Sequence, residues 1–273
     1  MDPFNNRAAL VTGGASGIGR ALCEELGRRG ASVVVTDINE AGAQEVANGI
    51  DERGGRAKAA YLDVTEEEAV RTCIQETAWG HDGVYYVFNN AGIGTGGEAR
   101  DMQLEDWRRI VNINLWGVLH GTMAAYALMR EQGFGHIVNT ASMAGLVPSP
   151  TETAYAMTKH AIVGLSTSLR EEARDFGVKV TVVCPGFIDT AIYESTTLQT
   201  MDWQEAKAAI SIKMMDADTA ARIILKGVAR NREKIVFPFP YRVMYRLHRL
   251  HPALLAPMGR KMLKDTRALR KHT

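Results

Sequence analysis

Short apolar runs alternate along the chain with longer stretches of helical periodicity, and this alternation limits the fold more than any other feature. The runs are rich in Val, Ile and Ala, as expected of parallel strands that are covered on both faces. Alternation at this spacing predicts an α/β fold with a doubly wound parallel sheet, and right-handed crossovers place helices on both faces. The predicted strands are Ala8–Thr12, Ser32–Thr36, Ala57–Leu62, Val84–Asn89, His136–Ala141 and Lys179–Cys184, and the predicted helices are Ile18–Arg29, Glu40–Arg53, Glu66–Ala78, Leu104–Glu131 and Thr153–Phe176.

The overall composition excludes several classes of protein. The 273 residues show no internal repeat or linker before about residue 240, so we expect one domain over 1–240 and a separate segment over 241–273. A formal net charge of +1 predicts no nucleic-acid partner. Cys23, Cys73 and Cys184 are odd in number and far apart, and no metal-binding spacing occurs, which predicts neither a disulfide framework nor a metal site. With no signal-peptide pattern and no apolar run of the ~20 residues that a spanning helix needs, we expect a reducing, cytoplasmic location.

A glycine-rich turn, Thr12-Gly13-Gly14-Ala15-Ser16-Gly17-Ile18-Gly19, separates the first predicted strand from the first predicted helix. Glycines let the main chain approach a pyrophosphate, and the free N–H groups of the following helix N-terminus face that anion. The spacing is GxxxGxG, and such a turn taken alone is weak evidence because it also occurs as a purely structural turn. Together with the residues described next, it predicts that Gly13, Ser16, Gly17, Ile18 and Gly19 bind a dinucleotide.

Polar and small residues follow the next three strands, at the edge where ligands of open α/β sheets bind. Asp37 ends the second strand, 24 residues after Gly13, where a carboxylate bonds the adenosine ribose hydroxyls, and Ile38 follows it. Asp63-Val64 ends the third strand and is expected at the adenine edge. The alternative for Asp63 is the N-cap of the following helix, and both roles can hold. Asn89-Asn90-Ala91-Gly92 ends the fourth strand and leaves room for a cofactor to pass.

Four further residues form a candidate catalytic group. Tyr155 and Lys159 share one helix face at i and i+4, and a nearby ammonium favours the phenolate, whose ordinary pKa of about 10 is too high for a base near neutrality. The hydroxyl of Ser142, at the end of the fifth strand, can hold the substrate oxygen beside the phenol. Asn114 lies inside a predicted helix, where an amide is mildly unfavourable. It is either a buried structural amide or the carbonyl that holds a water linking Lys159 to solvent.

In this order and at these separations, the motifs resemble the short-chain dehydrogenase/reductase family in its compact branch, over roughly residues 7–236. The resemblance implies a seven-stranded Rossmann-type sheet in a single domain and a nicotinamide cofactor. It implies that Tyr155 is the general acid/base, that Lys159 lowers its pKa and binds the nicotinamide ribose, and that Ser142 orients the substrate oxygen. It also implies that Asn114 anchors a relay water. The residues that it places along the nicotinamide are Pro185, Gly186 and Ile188, with Thr190 near the carboxamide.

The expected activity is hydride transfer between NAD and a secondary alcohol or ketone, with NADP as the second choice because the Asp37 carboxylate repels a 2′-phosphate. The predicted substrate pocket is mostly apolar and shows no evident Lys or Arg for a carboxylate or phosphate, so a small lipophilic substrate of steroid, terpenoid, retinoid or fatty-chain type is expected. A 3-oxoacyl thioester reductase and a non-catalytic NAD-binding protein are the alternatives. Pocket residues are Ile93, Ser142, Ala144, Phe187 and Ile192, with a substrate loop over 187–216.

Two surfaces predict association. The Leu104–Glu131 and Thr153–Phe176 stretches are more apolar than one sheet contact needs, which predicts a homodimer or homotetramer. They carry Leu115, Trp116, Ala124, Ala125, Ala161, Leu165 and Leu169.

The basic tail is the second such surface. Residues 241–273 hold nine Lys/Arg against one acid, +8 in a chain of +1. Val243, Leu247 and Leu250 make one helical stripe, Pro252 and Pro257 divide the tail into two short helices, and Phe237-Pro238-Phe239-Pro240 is a stiff connection. Three roles are open: packing on the core at the substrate mouth, peripheral membrane contact, or a mobile tail.

Overall fold

A computed structural model of the chain describes residues 2–78, 82–190, 197–198 and 214–268. One parallel sheet of seven strands runs through the molecule in the order β7-β6-β5-β4-β1-β2-β3, as the resemblance implies. The order reverses between β1 and β4, which is the point where open sheets bind ligands. The strands are β1 (Ala8–Thr12), β2 (Ser32–Asp37), β3 (Arg56–Tyr61), β4 (Val84–Asn89), β5 (Gly135–Thr140), β6 (Val178–Pro185) and β7 (Lys234–Phe237).

Helices cover both faces of the sheet, because the inner strands are buried on both sides. All five residues of β1 are buried, and separate apolar clusters pack above and below it around Val11 and Leu10. The helices are α1 (Gly17–Arg28), α2 (Glu40–Glu52), α3 (Glu67–Thr77), α4 (Leu104–Val111), α5 (Gly117–Gln132), α6 (Thr153–Glu172), α7 (Ala217–Ala229), α8 (Phe239–Leu250) and α9 (Ala256–Ala268).

The predicted helix Leu104–Glu131 is interrupted. A π-helical segment, Asn112–Trp116, separates α4 from α5, because one extra residue is accommodated where Asn114 turns inward. The predicted helix Thr153–Phe176 also ends early, at Glu172, and a 3-10 turn over Arg174–Phe176 leads to Gly177 with φ +70°. The spacing of apolar residues continues through both positions. The sequence pattern therefore indicates neither the π-helical segment nor the early end of the second helix.

The C-terminal third adds elements that the residue pattern did not predict. Helix α7 and strand β7 return the chain to the sheet edge, where β7 pairs in parallel with β6. The predicted irregular loop 187–216 holds two short pairings, Ile188–Asp189 with Met215–Asp216 and Thr197–Leu198 with Thr95–Gly96. Most of that loop lies outside the described residues.

The tail forms two helices, as predicted, although their bounds differ. Helix α8 starts at Phe239, so Phe239-Pro240 belongs to its first turn rather than to a connecting segment, and Pro257 lies in the first turn of α9 rather than between helices. The stripe of Val243, Leu247 and Leu250 does not pack on the core. The opposite face does, through Tyr241, Met244 and Tyr245, while the stripe is exposed.

Candidate active site

Close main-chain contacts in the glycine turn leave no room for side chains. Gly13 and Gly17 have φ of +67° and +53°, which favours glycine. A Cβ on Gly13 would lie 2.9 Å from the Ala91 Cα, and one on Gly19 would overlap the Gly13 carbonyl oxygen. Ser16 precedes α1 without capping it, and no acidic residue occupies the first turn of α1. An uncapped helix N-terminus behind a glycine cradle fits the pyrophosphate of a dinucleotide.

Asp37 lies beside this cradle and is bound to it. Its carboxylate accepts hydrogen bonds from the main-chain N–H of Ala15 at 3.0 Å and of Asn39 at 2.9 Å. Asp63, on the next strand end, accepts from the N–H of Thr65 at 2.9 Å and from its hydroxyl at 2.8 Å. Helix α3 is preceded by Glu66 as its N-cap, so the alternative that Asp63 caps this helix is wrong: Asp63 stabilises the turn before it.

The end of β4 is tied to the glycine turn by Thr12, which the sequence analysis did not single out. The Thr12 hydroxyl accepts from the N–H groups of Asn90 and Ala91, both at 3.0 Å. The Asn90 amide donates to the Thr12 carbonyl at 3.2 Å. These bonds fix Asn90, Ala91 and Gly92 beside the glycine turn. The ends of β1 and β4 therefore form one rigid surface.

Tyr155, Lys159 and Ser142 come together at the other end of this surface. The Lys159 Nζ lies 5.4 Å from the centre of the Tyr155 ring and donates to the Thr140 carbonyl at 3.0 Å. Ser142, at the end of β5, lies beside the phenol, and its side chain acts to lower the pKa of Tyr155. Helix α6 presents Tyr155 and Lys159 one turn apart on the same face, as their i, i+4 spacing predicts.

The pKa values of this group differ from the sequence expectation. Burial raises the pKa of the Tyr155 phenol above its ordinary value, while hydrogen bonding to Ser142 works in the opposite direction. Burial lowers the pKa of Lys159 to about 8. The expected lowering of the Tyr155 pKa by Lys159 is therefore not seen, because among the protein's own groups desolvation of the phenol dominates.

Asn114 is fully buried in the π-helical segment, and its side chain binds the chain after β4. Its Oδ1 accepts from the Ile93 N–H at 2.8 Å and its Nδ2 donates to the Ile93 carbonyl at 2.9 Å. The Asn114 side chain is thus a structural amide. The main-chain carbonyl of Asn114 is the group left to bind a relay water. π-Helical segments occur frequently at functional sites, and this one places Asn114 against Gly92, close to the Lys159 ammonium.

One cavity of about 1310 Å³ joins the glycine turn to the catalytic group. Of the predicted site residues, Gly19 and Asn114 lie behind its wall, and Ile192 lies outside the described residues. The pocket residues Ile93, Ala144 and Phe187 line the cavity. So do the remaining cofactor residues, Gly13, Ser16, Gly17, Ile18, Asp37, Ile38, Asp63, Val64, Asn90, Ala91, Gly92, Pro185, Gly186, Ile188 and Thr190.

The tail forms the far wall of the same cavity. The residue pattern had left the role of the tail open. Tyr241 packs its ring on Gly186, where a Cβ would lie 2.5 Å from the ring, and stands edge-on to Phe187 at 6.2 Å. Helix α9 is bound to the body by Arg267, whose Nη2 lies 2.7 Å from Glu98 Oε2. His248, Arg260 and Lys261 also line the cavity, so the expectation that no Lys or Arg faces the pocket is wrong.

Glu152 is a second residue that the sequence analysis missed. It lines the cavity three residues before Tyr155 and occupies the N-cap of α6 without capping it. Its Oε2 accepts from the Ser149 hydroxyl at 2.5 Å, and burial raises the pKa of the carboxyl. The only sequence signal was an acid just before the helix, which also describes an ordinary helix start.

A family model for short chain dehydrogenases matches residues 7–200, and the chain belongs to that family. A protein named oxidoreductase SadH from Mycobacterium tuberculosis is 33% identical over 241 residues, which cover 86% of this chain and 87% of that protein. A cyclohexanol dehydrogenase from Acinetobacter sp. is 36% identical over 190 residues, 69% of this chain and 76% of that protein.

Solved structures of the family share the fold. A short chain dehydrogenase/reductase from Burkholderia phymatum in complex with NAD superposes with a TM-score of 0.80 at 27% identity, covering 100% of this chain and 98% of that chain. One from Mycobacterium marinum gives 0.79 at 27% identity, covering 88% of this chain and 98% of that one. The tail is therefore part of a fold that a relative shares.

Proposed function

We propose that the protein interconverts a lipophilic secondary alcohol and its ketone with NAD as the hydride carrier. The observation that carries this proposal is the single cavity, because it joins the glycine turn and Asp37 at one end to Ser142, Tyr155 and Lys159 and then to an apolar wall of the tail. When bound, NAD supplies the hydride acceptor for alcohol oxidation. The residues of the chain bind the cofactor, orient the substrate and move the proton.

In the proposed reaction the Ser142 hydroxyl holds the substrate oxygen beside the Tyr155 phenol. During ketone reduction the phenol donates its proton to that oxygen, which suits a group whose pKa burial keeps high. Oxidation requires the phenolate, so it needs the positive charge of Lys159 and of the oxidised nicotinamide nearby. We therefore expect the oxidation rate to rise with pH and the reduction rate to fall.

NAD is proposed over NADP because of what surrounds Asp37. A ribose 2′-hydroxyl can donate to its carboxylate, whereas a 2′-phosphate would meet a like charge. Arg20, the first basic residue after the glycine turn, is bound to Glu24 at 3.1 Å and to Glu45 at 3.1 Å. The comparison of kcat/KM with NADH and with NADPH tests this assignment, and a higher value with NADPH would contradict it. Asp37→Asn should narrow the difference between the two cofactors.

The lipophilic substrate class is supported by the side chains around the reacting centre and along the tail. Met143, Val147, Phe187, Met244 and Leu255 line this part of the cavity. A panel of secondary alcohols that grows from cyclohexanol to polycyclic and long-chain alcohols, followed by the absorbance of reduced cofactor, is the direct test. We expect kcat/KM to rise with apolar size. A panel without any NAD-dependent turnover would contradict the proposal and favour a non-catalytic NAD-binding protein.

A 3-oxoacyl thioester is the second candidate substrate, because His248, Arg260 and Lys261 line the same cavity and suit an anionic carrier group. An acyl thioester belongs in the same panel. Faster reduction of the thioester than of any simple ketone would favour this alternative.

We further propose that the tail completes the substrate pocket, that the protein acts in the cytoplasm, and that copies associate through α4–α5 and α6. The three cysteines are unpaired, which fits a reducing compartment. Trp116 is 49% exposed and Met157 45%. Ala125 and Leu169, from the predicted contact set, are instead buried within one chain. A homodimer or homotetramer is expected in light scattering at micromolar concentration, and a monomer would contradict it.

A further inference from the structure

Helix α8 has an apolar face that points away from the protein. Phe239, Val243, Leu247 and Leu250 follow one another at i, i+4, i+8 and i+11, and they are 69%, 39%, 40% and 79% exposed. The opposite face carries the contacts to the body, as described above. The helix is therefore apolar on two faces, and within the described residues only one of them is covered.

Leu254, in the turn after α8, is 56% exposed as well. Met258 and Met262 of α9 line the active-site cavity instead. An exposed apolar face formed by several side chains of one helix marks a place where a protein meets a partner or a membrane, whereas single exposed apolar residues need no explanation.

Charge distinguishes between these partners. No Asp or Glu occurs between Lys234 and Lys264, while Arg242, Arg246 and Arg249 follow the apolar face along α8. The chain has 32 Lys/Arg and 31 Asp/Glu, and residues 241–273 hold nine and one of them, so the tail carries +8 and the rest of the chain −7. Two copies that met through this face about a two-fold axis would bring like charges together. An anionic bilayer surface offers both apolar contact and opposite charge, which is what a basic amphipathic helix binds.

The inner face of the same helix lines the active-site cavity, through Tyr241, Met244 and His248. A helix is about 10 Å across, so a docked α8 would keep the cavity within about one helix diameter of the lipid. We propose that the outer face of α8, formed by Phe239, Val243, Leu247 and Leu250 with Arg246 and Arg249, docks the protein on an anionic lipid surface. The described residues contain no helix long and apolar enough to cross a membrane, so this contact is peripheral.

Sedimentation of the full chain with vesicles tests the proposal without any measurement of activity, so its failure is separate from failure of the proposed function. We expect binding to vesicles of phosphatidylcholine with phosphatidylserine, little binding to phosphatidylcholine alone, and release by salt. Arg246→Gln with Arg249→Gln should weaken binding roughly thirtyfold, at ~1 kcal/mol per charge. Leu247→Gln with Leu250→Gln should weaken it as well.

Tyr61→Gln is the matched control, because Tyr61 is 55% exposed on β3, at the sheet edge opposite β7, and should leave vesicle binding unchanged. The arginine pair is a second, independent probe if the leucine pair disturbs folding, which circular dichroism would show. Absence of wild-type binding to the anionic vesicles at low salt overturns the proposal. So does binding that neither pair reduces. If the leucine pair instead converts an oligomer to a smaller species in light scattering without affecting vesicle binding, the face belongs to a second copy of the chain and the proposal is wrong.

Discussion

The two ends of the cavity are built in different ways. At the cofactor end the contacts are made to the main chain. Gly13 contacts Ala91, the Asp37 carboxylate accepts from the Ala15 N–H, and the Asn90 amide donates to the Thr12 carbonyl. At the substrate end the wall is made of side chains from helices far along the sequence, and a surface ion pair holds the last of them. Main-chain contacts leave no room for added atoms, whereas side-chain walls can repack. The cofactor end should therefore tolerate little change, and the substrate end should change specificity without loss of the fold.

The largest effect is expected where the two ends meet. Tyr155→Phe removes the proton donor and leaves the cofactor end intact, so kcat should fall by about 10²–10⁴ while NAD affinity stays near wild type. Turnover assays and cofactor fluorescence titration measure the two separately. Lys159→Met is the companion variant and should damage both quantities. Substantial turnover by Tyr155→Phe would move the acid/base role to another residue.

Two helical glycines compare the ends directly. Gly19→Ala places a methyl group on the Gly13 carbonyl, so the unfolding free energy should fall by about 1–3 kcal/mol and NAD affinity should drop. Gly259→Ala in α9 meets Pro150 Cγ at 3.7 Å, an ordinary contact, and should stabilise its helix by up to about 1 kcal/mol. Chemical denaturation and NAD titration of both variants test the comparison. Equal losses would show that the substrate end is as tightly packed as the cofactor end.

The two carboxylates in the cavity give a third comparison. Asp37 accepts two main-chain N–H bonds, whereas Glu152 accepts one hydroxyl and has a raised pKa because of burial. A raised pKa means that the folded state holds the proton more tightly, so stability falls as pH rises above the ordinary value of 4.5. Glu152→Gln removes this dependence. Its unfolding free energy relative to wild type should increase with pH by at most about 1.4 kcal/mol per unit.

Denaturation curves of wild type and Glu152→Gln at pH values from about 4 to 8 would measure this difference. A difference that stays constant with pH would mean that Glu152 titrates as it does in the unfolded chain. The matched change at the cofactor end, Asp37→Asn, should act mainly on cofactor choice.

The smallest effect is expected at the ion pair that holds α9. Hydrogen bonding to Arg267 lowers the pKa of the Glu98 carboxyl to about 2, so the pair persists through the neutral and mildly acidic range. Surface ion pairs contribute little to the free energy of unfolding, and salt screens them. Arg267→Gln should raise KM for bulky alcohols a few-fold at most and leave KM for cyclohexanol and NAD affinity unchanged. An equal rise for both alcohols would indicate a general structural role for the tail.

The sequence by itself determined six of the seven strands and the ligand edge of the sheet. Strand-length apolar runs, the glycine turn and the polar residues after each strand are local signals. Most of the residues that they marked line one cavity, whereas Gly19 lies behind its wall. The i, i+4 spacing of Tyr155 and Lys159 was sufficient to place them on one helix face. These features follow from periodicity and local backbone geometry, which adjacent residues specify.

The tertiary structure alone decided what depends on contacts between distant residues. The pKa of Tyr155 rises because several elements bury it, and no neighbouring residue in the sequence encodes that burial. The sequence left open whether the stripe on α8 packs on the core. In the structure it is the opposite face that packs, on Gly186 and Phe187, more than fifty residues away. Periodicity gives a helix its faces, but only the shape of the surface it meets selects the face that is buried.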